Sequence, residues 1–344
     1  MKILIVRLSS FGDILQAQAC LQNIYNHNAT APSDSTVAPT VTPKIDWLVR
    51  SDFKDLLRDQ PLHHVFALDR KGGFIALLKM IRQMSDTPYT HIYDAHNNLR
   101  SFWVRLLLPL FVFFRHGLLP RVLVRSKNRW RRFLFFKLRQ PVFQMPFRGS
   151  CSFLTPLAKW GISTEFQQRA HWKTTTKVPV TLNPRFIAIA PSAAWKTKRW
   201  PVSFWKKLIE LLPNESFVVL GGPDDTFCEE IARTAPHRVF NSAGKFSLLE
   251  SCAAVRDAQL TISGDTGILH AADQMRRLNI GLIGPTAFGY TSQNLSVVLE
   301  TQLPCKPCSK DGRDPCKNAV FQKCMIEITP EKVAHAAKLL LGPQ

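Results

Sequence analysis

The sequence predicts an α/β protein built of two Rossmann-like domains facing each other across a cleft. Three observations lead there. A chain of 344 residues is long enough for two domains with full cores. Short apolar runs alternate with stretches of helical apolar spacing, the pattern of parallel sheets covered by helices. That rhythm pauses at the Pro- and Thr-rich "TTTKVPVTLNP" and then restarts. The pause reads as a linker, which sets the expected domains at 1–175 and 176–344.

The elements follow in order. "KILIVRL" is a strand, and apolar spacing predicts a helix from Asp13 to about His27. The Pro/Ser/Thr-rich stretch 28–44 reads as a surface loop. "IDWLVR" is the next strand, "FKDLLRD" a helix, "HHVFALD" a strand, "FIALLKMIRQM" a helix and "YTHIYDA" a strand. Residues 99–147 break the rhythm, mixing bulky apolar groups with arginines. The longest uncharged run there, Leu106 to Phe114, contains Pro109 and is far short of the roughly 20 apolar residues that span a bilayer. An amphipathic interfacial segment fits it better. After the linker come strand "RFIAIAPSA", helix "PVSFWKKLIELL", strand "SFVVLGG", helices "FCEEIARTA" and "SLLESCAAVRDA", strand "QLTIS", helix "GILHAADQM", strand "NIGLIG", and a last helix after Pro330.

Charge narrows the function. The net charge is +20, and from Ala95 to Thr164 there are 13 Lys and Arg with no Asp or Glu. Charge confined in this way marks a surface for an anionic partner. Nucleic acid, an acidic membrane and a phosphorylated glycolipid all qualify. No aromatic RNA-binding motif accompanies it, and a simple binder leaves the turn motifs below unexplained. Eight cysteines are too few for a disulfide scaffold, and no secretory signal precedes the first strand, so a cytoplasmic location is expected.

Four turns carry candidate chemistry. "LSSFGDILQAQ" opens the first helix with a single glycine, Gly12, and a carboxylate, Asp13, where a dinucleotide fold would bare its backbone to phosphate. "ISGDTGILHAAD" turns from strand to helix through Asp265, Thr266 and Gly267, with His270 one helical turn on. Free N–H groups and a hydroxyl at that point favour an anion. "APSAAWKTKRWP" places Ser192 and then Lys196, Lys198 and Arg199 after a strand, where lysine suits a diphosphate. "LGGPDD" ends another strand with Asp224 or Asp225 in reach of a ribose hydroxyl. Asp94 and Arg100 flank the end of "YTHIYDA". Finally, Cys305, Cys308, Cys316 and Cys324 form C-x2-C-x7-C-x7-C, either free thiols or a structural zinc site.

These stretches carry a resemblance. "VRLSSFGDILQA", "YDAHNNLRS", "WKTKRWP", "SGDTGILHAA" and "LIGPT", in this order, resemble the lipopolysaccharide heptosyltransferases, glycosyltransferase family 9. The C-terminal "CKPC…C…CMIEITPEKV" is similar to a pattern in many members. The resemblance implies the GT-B fold, with an N-terminal acceptor domain and a C-terminal nucleotide-sugar domain. It implies inverting transfer of heptose from ADP-heptose to an inner-core sugar of lipopolysaccharide, with no cofactor. The acceptor would be a phosphorylated glycolipid of the Kdo-lipid A type at the inner leaflet of the cytoplasmic membrane, and nucleic acid would not be a partner. Asp13 then stands as general base, with Ser10, Gly12, Asp94 and Arg100 on the acceptor side. Ser192, Lys198, Asp224, Asp265, Thr266, Gly267 and His270 stand on the donor side. The alternative is a GT-B enzyme of another nucleotide sugar, a different transferase or an epimerase.

Overall fold

The computed structural model describes residues 1–29, 42–180 and 183–342. Residues 30–41 of the expected loop and 181–182 of the expected linker lie outside the described residues. The chain forms two compact units. One comprises Met1–Asn128 with Ser150–Gln167, the other Arg129–Gly149 with Gln168–Gln344.

The first unit runs β1 (Lys2–Val6), α1 (Phe11–Ala17), α2 (Ala19–Ala29), β2 (Lys44–Arg50), β3 (His64–Leu68), α3 (Gly73–Met84), β4 (His91–Asp94), α4 (Leu99–His116) and β5 (Arg121–Val124). Its sheet has the order β3-β2-β1-β4-β5, and every pairing is parallel. The chain builds outward from β1 on one side and then crosses to β4 on the other. The crevice between β1 and β4 is therefore the topological switch point, where open parallel sheets bind ligands. Leu4, Val6, Leu48, Ile92 and Val104 are wholly buried in the core beneath it.

Three expectations shift here. The single helix after Asp13 is two, because Gln18 closes α1 with a short bond from its N–H to Leu15 O. "FKDLLRD" falls largely in a 3-10 helix over Ser51–Leu57. Within 99–147 lies an edge strand, β5, of four residues, too short to show a period-2 signal.

The second unit begins with α5 (Arg129–Lys137). The short α6 (Gly149–Leu154) straddles the change of unit. Then follow β6 (Phe186–Ala190), α7 (Val202–Leu211), β7 (Ser216–Val219), α8 (Phe227–Ala232), β8 (Val239–Asn241), α9 (Leu248–Asp257), β9 (Leu260–Gly264), α10 (Gly267–Gln274), β10 (Asn279–Ile283), β11 (Ser296–Glu300), α11 (Lys323–Ile326) and α12 (Pro330–Leu341). The parallel sheet has the order β11-β10-β9-β6-β7-β8, so its switch point lies between β6 and β9. β8 and β11, absent from the sequence reading, are its two edges.

Phenylalanine joins 129–149 to this unit. Phe135, Phe136, Phe143 and Phe147 surround Phe288, with ring centroids 4.7–6.4 Å from its own. The Arg132 guanidinium covers the Phe288 ring at 4.8 Å. Among the described residues no helix is long and apolar enough to cross a membrane.

Candidate active site

Each unit places a carboxylate paired with a cation at its switch point, on the first turn after the sheet. In the first unit β1 ends at Val6, and Ser10 caps α1 with Asp13 at the third helical position. The Ser10 hydroxyl donates to Asp13 Oδ2 at 2.8 Å and the Ser10 N–H at 3.3 Å. Arg7, nearly buried, reaches the same oxygen at 2.6 Å and spends its other terminal nitrogen on Ala95 O at 2.8 Å. Burial on its own raises the Asp13 carboxyl. Arg7, then Arg125, then the Ser10 hydrogen bonds overturn that and hold it well below the usual carboxylate range. The Asp13 side chain nevertheless stays 38% exposed, so a ligand can touch it.

Across the same crevice, at the end of β4, the expectation for Asp94 needs correction. It is fully buried. Its Oδ1 accepts from the N–H groups of His96 and Asn97, and its Oδ2 from the Ser101 hydroxyl at 2.9 Å, with Arg105 at 3.4 Å. Asp94 therefore shapes the turn into α4 and has no surface for an acceptor. His96 in that turn is held neutral, pushed down to about 3 by burial first, then by Arg7 and Lys127, against the pull of Asp13. Ser10 is exposed, Gly12 is buried in α1, and Arg100 donates to Arg70 O on the rim of α4.

In the second unit, Lys198 follows β6 and Asp265 follows β9, on the two sides of the switch point. Lys198 Nζ lies 3.1 Å from Asp265 Oδ2, and both side chains are 13% exposed. His270 Nε2 sits 3.7 Å from the other oxygen. Burial pushes the Asp265 carboxyl up, but Lys198, His270 and the Thr286 hydroxyl together hold it low. Thr266 caps α10, its hydroxyl 2.8 Å from that of Ser263, and Gly267 begins the helix. Nearby, Asp225 is taken up by its own loop, accepting from Gly222 N–H at 2.8 Å and facing Arg199 at 3.6 Å. Asp224 is left exposed. Ser192 packs against Gly221.

Two glycines enclose the Lys198–Asp265 pair. A Cβ on Gly289 would stand 2.1 Å from the Asp265 carboxyl carbon, and one on Gly312 would stand 2.5 Å from the Lys198 stem. Gly312 also has φ +89°, a conformation other residues rarely adopt. The Thr197 hydroxyl donates to Gly312 O, and Gln322 donates to Lys196 O and Arg199 O. The loop bearing the cysteines thus clamps the lysine turn.

The cysteines themselves meet the zinc expectation only halfway. Cys305, Cys308, Cys316 and Cys324 line one small cavity. Yet among the described residues no group of three or more His, Cys, Asp or Glu is arranged to hold a metal ion. Cys305 accepts from Asn318 and Cys316 from the Gln322 N–H, and burial pushes the Cys324 thiol up to about 11.

Comparison with known proteins fits this geometry. The sequence model of glycosyltransferase family 9 (heptosyltransferase) matches residues 77–318. The chain belongs to glycosyltransferase family 9. Among curated relatives, lipooligosaccharide heptosyltransferase 2 of Haemophilus ducreyi is 24% identical, over 99% of this chain and 100% of that protein. Lipopolysaccharide heptosyltransferase 1 of Pseudomonas aeruginosa is 21% identical, over 100% and 99%. Among solved structures, the family 9 glycosyltransferase of Veillonella parvula superposes with TM-score 0.72 at 17% identity, covering 99% of this chain and 97% of that one. E. coli heptosyltransferase WaaC with ADP does so with TM-score 0.69 at 19% identity, covering 99% and 100%. These superpositions establish the GT-B fold of this family 9 enzyme.

Several site residues escaped the sequence reading. Arg7 sits one residue past an apolar strand, where it reads as the strand's polar end. Arg125, Thr286, Gly289 and Gly312 lie 21 or more residues in sequence from the Asp13, Asp265 or Lys198 side chains they flank, and only the fold brings them there.

Proposed function

We propose that this glycosyltransferase moves heptose from ADP-heptose to an inner-core sugar of lipopolysaccharide with inversion, at the cytoplasmic face of the inner membrane. The observation that carries the reading is the Lys198–Asp265–His270 cluster at the switch point of the second unit. Asp265 pairs with Lys198 at 3.1 Å. A bound diphosphate competes for the ammonium, and Lys198 then offsets the negative charge that grows on the departing ADP. Thr266 and the start of α10 offer a hydroxyl and free N–H groups to the same anion. Asp265 and His270, freed from the lysine, can accept and donate to sugar hydroxyls. The second unit is in this reading the donor domain and the first the acceptor domain.

Inversion needs a base at the attacking hydroxyl, and Asp13 fills that role. Its depressed pKa makes it a weak base toward a neutral alcohol. It therefore takes the proton late, when the attacking oxygen already carries positive charge. Arg7 and Ser10 keep the carboxylate ionised and aimed, while its exposed edge is left for the acceptor.

Incubation of the purified chain with a Kdo-lipid A acceptor and a panel of ADP-, UDP- and GDP-sugars tests the reading. Product from ADP-heptose alone, with inverted anomeric configuration by NMR, is expected. Equal use of a UDP- or GDP-sugar, or a retained configuration, would overturn it.

A further inference from the structure

Helix α4 is apolar on two opposite sides. Its inner side buries Ser101, Val104, Leu108 and Val112 against the core of the first unit. Its outer side carries Leu99, Phe102, Leu106, Leu110 and Phe113, spaced three or four apart, each between 38% and 73% exposed. At 3.6 residues per turn the two stripes lie about 180° apart. A helix on a folded surface normally keeps its outer side polar. The outer stripe runs the length of a helix of 18 residues, on the order of 27 Å. It is widened by exposed Phe74 and Ile75 at the start of α3, where Phe74 meets Trp103 edge-on at 5.3 Å. A contiguous exposed apolar strip of this kind marks a binding surface.

The surrounding charge says what binds. Between residues 69 and 127 the sequence has ten Lys and Arg and three Asp, and Arg105 is paired with Asp94. Asp94 is buried, and Asp86 is paired with Arg115. The apolar strip therefore lies in a segment with a cationic excess, in which the exposed Asp69 accepts from the Lys71 N–H at the start of α3. A second copy of the chain would bring the same positive rim against it. A bilayer with anionic headgroups matches both features, since acyl chains take the Leu and Phe side chains and phosphates take the Lys and Arg rim.

We propose that the outer stripe of α4, with the first turn of α3, docks this enzyme on the surface of an anionic bilayer. The helix lies in the headgroup region and does not cross. This deepens the proposed lipid-linked acceptor and rests on that reading. It also differs from what charge alone suggested, because the anchoring groups are the leucines and phenylalanines of α4, with the basic residues as their rim.

The test is cosedimentation of the full chain with vesicles of phosphatidylcholine alone or mixed with phosphatidylglycerol, for the wild type and for the Leu106→Glu/Leu110→Glu variant. The wild type should bind the mixed vesicles, more weakly as salt is raised. The variant should bind about tenfold less or worse, since two apolar anchors become like charges to the headgroups. Transfer to a lipid-free acceptor saccharide should be equal in both, while transfer to acceptor embedded in vesicles falls only in the variant. Leu106→Trp offers a gain of signal if the double variant folds poorly, its fluorescence shifting to the blue on mixed vesicles. Equal vesicle binding by wild type and variant overturns the proposal, as does an unshifted Leu106→Trp. A wild-type dimer that the substitutions make monomeric without loss of vesicle binding overturns it too, in favour of a contact between copies. Wild-type failure on the lipid-free saccharide instead strikes the proposed reaction and leaves the docking measurement standing.

Discussion

Asp13 and Asp265 are the same device built twice, and they differ where their work differs. Each stands at the switch point of a parallel sheet, at or just before the start of a helix, and each is held below the usual carboxylate range by a nearby cation. Asp13 takes a guanidinium that is itself locked to Ala95 O, and keeps 38% of its side chain open. Asp265 takes a flexible ammonium, and both partners are 13% exposed beneath glycine backbone. Arginine in a fixed fork orients a carboxylate and does not leave it, whereas lysine is a mobile point charge that can change partners. A permanently paired but open carboxylate suits a group that must meet an incoming hydroxyl. A closed pair with a mobile cation suits a site that opens to a diphosphate.

The largest expected effect separates the two carboxylates. Asp13→Asn keeps the size and the cap but removes the proton acceptor, and general bases contribute about 10²–10⁴-fold. Turnover should fall by that factor with ADP affinity and melting temperature near those of the wild type, measured on one preparation. Turnover above about half of the wild-type value would reduce Asp13 to a helix-capping residue. Lys198→Ala comes next. Losing one preorganised charge-stabilising group typically costs about 10²–10³-fold in turnover, and here calorimetry should also show weaker ADP binding. Unchanged ADP binding would break the contrast between a fixed and an exchangeable cation.

The sequence made the parallel α/β plan legible because buried strands such as "KILIV" and "FIAIA" are apolar without interruption. It also placed "SGDTGILHAA" and "WKTKRWP" at strand ends, and the strand order explains why those two turns meet, since β9 and β6 are neighbours. Edge strands β5, β8 and β11 were not legible. They have three to five residues and only one neighbour, so no burial pattern accumulates. Asp94 misled for a related reason. A carboxylate ending a strand looks the same in sequence whether it faces a ligand or ties down its own turn, and only its hydrogen bonds to His96, Asn97 and Ser101 decide. The pairing of Arg7 with Asp13 depends on the path of "LSSF", which carries no periodic signal.

A smaller effect sharpens the closed side of the comparison. Gly289→Ala brings a methyl group into van der Waals overlap with the Asp265 carboxylate, so that side chain must turn away from Lys198 or the loop must shift. Misplacement of a positioning group by about an ångström costs up to roughly 10²-fold. A fall of about tenfold or more in kcat/KM for the donor is therefore expected, with transfer lost in step with ADP affinity. If Gly289→Ala behaves as wild type, Asp265 is not held by that loop in the working enzyme.

The smallest effect probes the open side. Ser10→Ala removes the hydroxyl that donates to Asp13 Oδ2, while the Ser10 N–H and Arg7 keep their contacts. Two consequences oppose each other. The carboxyl rises somewhat toward its ordinary value, which makes it a stronger base, and it loses one of three fixed directions, which makes it a less well-aimed one. Arg7 ranks above the serine among the groups that lower Asp13, so the charge stays on throughout the neutral range. Turnover should accordingly remain within about fivefold of the wild type, the scale of a net hydrogen bond of about 1 kcal/mol. The pH dependence carries the sign. The folded-state pKa of Asp13 lies below the unfolded value of about 3.9, so its stabilising contribution is complete above that value and is lost as pH falls through the folded one. Ser10→Ala narrows this gap, and its acid unfolding midpoint should move up in pH, by less than that of Arg7→Met. Turnover of Ser10→Ala as low as that of Asp13→Asn would mean that the cap builds the loop and the carboxylate charge is incidental, which would undo the distinction between the two sites.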